Sequence, residues 1–131
     1  MDRPTLQAVG QAAVDAGAGA FLADFLRWTG WRGDGLLVLD GLRHTAVRDA
    51  LRAHAANAGI EVRFVHVESE NGARVRRLQA RGDDLASIME QDAHSSERDV
   101  RTTLRDEADL RVHRHGDVVA TSAFVEVALG L

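Results

Sequence analysis

The run Leu36-Leu37-Val38-Leu39, closed by Asp40-Gly41-Leu42-Arg43-His44, constrains this chain more than any other feature. Four consecutive apolar residues bounded by a turn signal show no solvent-facing alternation. They predict a strand buried on both faces, as in a parallel sheet covered by helices. In such sheets ligands bind at the carboxyl ends of the strands. Asp40 and Arg43 fall at that end. A carboxylate there can hold Mg²⁺ through water or orient a nucleophile, and a guanidinium can grip a phosphate through two parallel hydrogen bonds. The same residues also fit a simpler arrangement, in which Asp40 pairs with Arg43 and caps a helix starting near His44.

The chain has 131 residues, enough for a single domain spanning 1–131 with one core and no covalent staples. It contains no cysteine, which removes disulfides and thiolate metal sites and fits a cytoplasmic setting. No apolar run approaches the roughly 20 residues of a membrane span. The opening Met1-Asp2-Arg3-Pro4 has no charged-then-apolar leader pattern. A net charge of −4 provides no general attraction to nucleic acid. All 16 Lys+Arg residues are arginine, so no lysine is present to grip a phosphate.

Spacing organises the rest. Asp2 or Thr5 caps a first helix, with Pro4 in its first turn, where the missing N–H costs little. That helix runs to about Ala16, with Leu6, Val9, Ala13 and Val14 on its apolar side. Gly17 and Gly19 break it, and Phe21 to Trp28 resume helical spacing to about Gly30. The strand Leu36–Leu39 follows the Gly33-Asp34-Gly35 loop. Val47, Ala50, Leu51 and His54 form one helical stripe, and Gly59 is a left-handed cap. Residues 60–67 alternate as a second strand, completing a strand–helix–strand crossover. A helix over 70–81 stops at Gly82. Asp83 or Asp84 caps the next, which breaks near Ser95. Leu110 to His115 form a third strand, Gly116-Asp117 a turn, and Val119, Phe124, Val127 and Ala128 a last helix, where the β-branched residues also allow a strand. The fold class is therefore three-layer α/β, with a short parallel sheet of about three strands flanked by helices.

Two further groups of residues can carry chemistry. Arg74, Arg77 and Arg81 recur at i, i+3, i+7 and set three guanidiniums along one helical stripe, which suits a polyphosphate. They also fit a solvated face neutralised by Glu68, Glu70, Asp83 and Asp84. Asp92, His94 and Glu97, with His113 and His115, can be drawn as a metal site. They lack tight ligand spacing, so ordinary hydrogen bonding is the preferred reading and no metal ligand is assigned. Trp28 and Trp31 are expected in core and rim packing.

In this order the pieces resemble the carboxyl-terminal two-thirds of the P-loop nucleotide and nucleoside kinases, above all the adenylate kinase-like and dephospho-CoA kinase-like branch. Arg3-Pro4-Thr5-Leu6-Gln7 with Gly10 is similar to the segment between the substrate-binding helices. Leu36 to Arg43 resembles the third strand, ending in Asp-Gly-x-Arg. Phe64 to Val67, followed by Arg74 to Gly82, resembles the fourth strand running into the lid helix. Ala108 to Val112 resembles the last strand. The resemblance implies ATP and Mg²⁺ as cofactors, with Asp40 at the magnesium or acceptor site. Arg3 and Arg43 would then hold substrate, and Arg74, Arg77 and Arg81 would surround the donor phosphates.

The sequence departs from that family in one large respect. It contains no G-x-x-x-x-G-K-[ST] loop and no lysine, so the phosphate cradle is missing. The strand carrying that cradle lies centrally in the family's sheet, between the strands resembled by Leu36–Leu39 and Phe64–Val67. Unpaired buried backbone groups cost roughly 1–3 kcal/mol each, so such a gap must close. The flanking strands can pair directly, a partner chain can supply a strand, or two copies can pair as a homodimer. The expectation is recognition of a nucleotide or other phosphorylated small molecule by an incomplete kinase-like core. Phosphoryl transfer from ATP would require a completing segment or partner. The alternative is a non-catalytic oligomerisation or interaction module of the same ancestry.

Overall fold

The computed structural model describes residues 3–113 and 117–131. The chain forms two compact units, one up to Val62 and one from Arg63 onward.

The first unit is a helical pair. Helix α1 (Arg3–Thr29) is interrupted at Gly17, where φ is 153° and ψ 105°. A side chain is disfavoured at that φ, so the expected break falls where only glycine adapts freely. Helix α2 (Thr45–Ala58) ends at Gly59 in the left-handed conformation, its N–H donating to the carbonyls of Ala55 and Ala56. Val14 and Leu22 from α1 and Val47 and Ala55 from α2 form the buried apolar set, joined by Arg48. Arg48 donates from Nε and Nη2 to Asp49 Oδ1 at 2.9 and 2.8 Å. The buried stripe of α2 is rotated from its expected line, because His54 is exposed and Ala55 takes the inward place.

Three expectations are corrected in this unit. Residues 36–39 form no strand and have no regular secondary structure. Leu36 is 69% and Val38 76% exposed, so the run lacks the two-sided burial that a central strand requires. Gly33, Gly35 and Gly41, at φ 91°, 69° and 84°, bound it with turns on both sides. Asp40 does not cap α2. The cap position is His44, with φ −124° and ψ 128° and no side-chain hydrogen bond to the helix. Trp28 is 83% exposed, touching Phe25 with ring centroids 6.2 Å apart, so it is not a core residue. Trp31 turns back on its own loop, donating from Nε1 to the Asp34 carbonyl at 2.7 Å. Asp2, His115 and Gly116 lie outside the described residues.

The second unit is built on two parallel strands, β1 (Val65–Glu68) and β2 (Leu110–His113), the whole sheet among the described residues. Parallel neighbours need a long crossover. Helices α3 (Asn71–Ala80), α4 (Leu85–Ala93), α5 (Ser95–Arg101) and α6 (Thr103–Asp106) provide it. Val65 pairs with Leu110 and Val67 with Val112 on one face, while His66 pairs with Arg111 and Glu68 with His113 on the other. The entry to the pair is tied by Asp109, whose Oδ2 accepts from Phe64 N–H at 2.7 Å while its own N–H donates to the Phe64 carbonyl at 2.9 Å. Ile88 of α4, Leu104 of α6 and Val112 of β2 form the core. Asp84 caps α4 by accepting from Ser87 N–H at 2.7 Å. Helix α7 (Val118–Leu129) follows, capped by Asp117 through Val119 N–H at 2.9 Å and closed by Gly130 in the left-handed conformation. The result is mixed α/β, with a short two-stranded parallel sheet flanked by helices.

Candidate functional site

The alternation of β1 and β2 puts Glu68 and His113 side by side at the carboxyl ends of the two strands. The chain then leaves β1 through Ser69 and Glu70 into the first turn of α3. A cleft of about 710 Å³ opens there, lined by His66, Glu68, Glu70, Asn71, Arg74, Glu97, Arg101, Arg105 and His113, among others. Its position is the one at which parallel α/β sheets bind ligands.

Three guanidiniums reach this cleft from three helices, and each is held by a carboxylate. Arg105 of α6 donates from Nε to Glu68 Oε1 at 2.5 Å and from Nη1 to Asp106 Oδ1 at 3.2 Å. His113 Nε2 lies 3.1 Å from Glu68 Oε2, so one carboxylate joins a strand end, a helix and an imidazole. Arg74 of α3 grips Asp92 of α4 with both terminal nitrogens, Nη1 to Oδ2 at 3.1 Å and Nη2 to Oδ1. Arg101 of α5 adds Nη2 at 2.6 Å from the same Oδ1.

The charges follow from these contacts. The hydrogen bond from Arg105 holds the Glu68 carboxyl below its ordinary range, against an opposing effect of burial. For Asp92 burial is the largest single influence and pushes upward. The hydrogen bonds and charges of Arg101 and Arg74 together outweigh it, so the net displacement is downward. Glu68 in turn raises the Arg105 guanidinium. Burial lowers His66 below its ordinary 6.5, outweighing the opposite pull of Glu68. Near neutrality these influences favour ionised Glu68 and Asp92 carboxylates and an uncharged His66 imidazole.

The residues singled out from the sequence are divided by this arrangement. Arg74 lines the cleft, and Arg77 and Arg81 continue its stripe as exposed residues of α3 and its carboxyl-terminal cap. Asp40 (exposed) and Arg43 (half-buried) belong to the first unit, and Arg3 is the first residue of α1. The carboxylate on Arg74 is Asp92, not one of the four acids expected to neutralise the stripe. Arg101 and Arg105 were not legible as site residues. Glu68 carries a sequence signal, an acid at the carboxyl end of an apolar strand, of the kind that Asp40 also shows.

No protein-family model matches the chain, and no curated protein or solved structure matches it.

Proposed function

We propose that the second unit is a phosphate-ligand recognition module of P-loop kinase ancestry, and that its ligand is a nucleotide or another phosphorylated small molecule. One observation carries this reading. Arg74, Arg101 and Arg105 converge on one cleft at the carboxyl ends of parallel strands, each already oriented by a carboxylate. Arg105, fixed this way through Glu68 and Asp106, loses little freedom on meeting a phosphate. Arg77 and Arg81 extend the positive stripe beyond the cleft.

Among the described residues no three His, Asp or Glu side chains converge to hold a metal ion, and both oxygens of Glu68 are already engaged. Mg²⁺ would arrive with the nucleotide, coordinated by its phosphates and water. Phosphoryl transfer would further require a phosphate cradle from a partner or another segment, because the 131 residues contain no P-loop sequence.

Thermal shift with ATP·Mg²⁺, dATP and nucleoside monophosphates tests the reading. Stabilisation is expected, and Arg105→Ala should weaken binding roughly tenfold or more. No shift at millimolar ligand would sink it. A second reading, an assembly module, is favoured by α7, where Val119 is 72% and Val127 82% exposed. Sedimentation across a hundredfold concentration range tests it: association that Val127→Asp abolishes supports assembly, and a concentration-independent monomer removes it.

A further inference from the structure

Two guanidiniums sharing one carboxylate make an unbalanced site. Arg74 commits the fork of its guanidinium, Nη1 and Nη2, to Asp92, and Arg101 commits Nη2 to the same oxygen. Both arginines line the cleft. Two positive charges meet one negative charge, so one positive charge remains uncompensated within the clasp. The side chains of Arg74 and Asp92 are only 25% and 20% exposed, which limits how far water screens that charge. A planar carboxylate presents two oxygens to a guanidinium much as a phosphate does. Asp92 thus stands where two phosphate oxygens would bind, and holds the fork that would bind them.

We infer that the Arg74–Asp92–Arg101 clasp is the specificity device of the cleft, admitting dianionic phosphate monoester groups and rejecting monoanionic ones. This rests on the phosphate-ligand reading above. A monoanion that displaces Asp92 exchanges one negative charge for another. It gains nothing in charge balance and leaves a carboxylate without its partners. A phosphate monoester above its second pKa of about 6 carries a charge near −2 and balances both arginines. Released from Arg74, Asp92 can turn toward water, since a fifth of its side chain is already exposed. Glu97 and Glu70 also line the cleft and oppose any anion, a dianion more than a monoanion, so the preference for the dianion has to come from the two arginines.

The test uses the whole chain at pH 8 with two isosteric probes, phenyl phosphate (dianionic) and phenyl sulfate (monoanionic), titrated calorimetrically. The wild type should bind the phosphate at least tenfold more tightly than the sulfate. Asp92→Asn should tighten both, because the internal competitor has lost its charge, and should keep the preference for the phosphate, because two arginines still meet one charge or two. Wild-type binding of phenyl phosphate with equal binding of phenyl sulfate overturns the inference while leaving the phosphate site standing. An Asp92→Asn variant that binds both probes more weakly also overturns it, making Asp92 a support for the arginines and not their competitor. If the wild type binds neither probe, the underlying phosphate reading falls as well. The wild-type ratio decides the matter even if the variant does not fold.

Discussion

Replacing Arg74 by Gln removes the bidentate grip on Asp92 while keeping most of the side-chain length. The cost can be placed from the geometry. An exposed ion pair contributes about 0–1 kcal/mol. Breaking a fully buried one costs about 3–5 kcal/mol, because a charge is left stranded. This pair lies between, with side chains 25% and 20% exposed, and Arg101 stays 2.6 Å from Asp92 to share the charge. A loss of about 1–2 kcal/mol is expected, or about 4–8 °C in Tm per kcal/mol for a unit of this size. Its pH dependence is more diagnostic than its size. The Asp92 carboxyl lies below its ordinary 3.8 in the fold, so its partners contribute stability above that value. The contribution is lost as pH falls through the lowered folded value. Urea unfolding of wild type and Arg74→Gln, at pH 7 and stepwise below 3.8, should show two curves that converge in acid. A gap that persists down the acid limb, or no gap at pH 7, refutes the reasoning.

Three further outcomes follow from the same structure. Ile88 is 2% exposed, the most buried large side chain described, so Ile88→Ala should lower the unfolding free energy by about 2–5 kcal/mol in denaturant titration; a change under about 1 kcal/mol would remove α4 from the core. Gly17→Ala should cost about 1–3 kcal/mol through its φ of 153°, since its nearest neighbour, Ala20 Cβ at 3.9 Å, leaves room for a methyl; an unchanged Tm would mean that the break in α1 is not fixed at this residue. His66 has its pKa below 6.5 in the fold, so stability present above 6.5 should fall as pH drops through the lowered value. His66→Gln should flatten that part of the Tm–pH profile, and an identical profile would show that His66 does not report on folding.

Local chemistry makes part of both units readable from the sequence. The cap at Asp84, the left-handed stop at Gly59, the break at Gly17 and the end of α3 ahead of Gly82 all follow from side-chain hydrogen bonding or glycine conformation within a few residues. The strand expected at Leu36–Leu39 failed for the opposite reason. A strand is stabilised by a neighbour, and an apolar run cannot reveal that its ladder is missing. The cleft was half legible for a related reason. Arg74 announced itself by spacing within α3, but its partner Asp92 lies 18 residues away, and Arg105 meets Glu68 across 37 residues. Arginines on short helices such as α5 and α6 carry no local mark that separates a cleft residue from a solvated one.

The central claim is that phosphate binds at the carboxyl ends of β1 and β2, among Arg74, Arg101 and Arg105. Two-dimensional amide NMR of the ¹⁵N-labelled chain, titrated with ADP, tests it most directly. Saturable shifts should concentrate at residues 68–74, 97–105 and His113. Shifts centred on Asp40 to Arg43, or a spectrum unmoved by millimolar ADP, would contradict it.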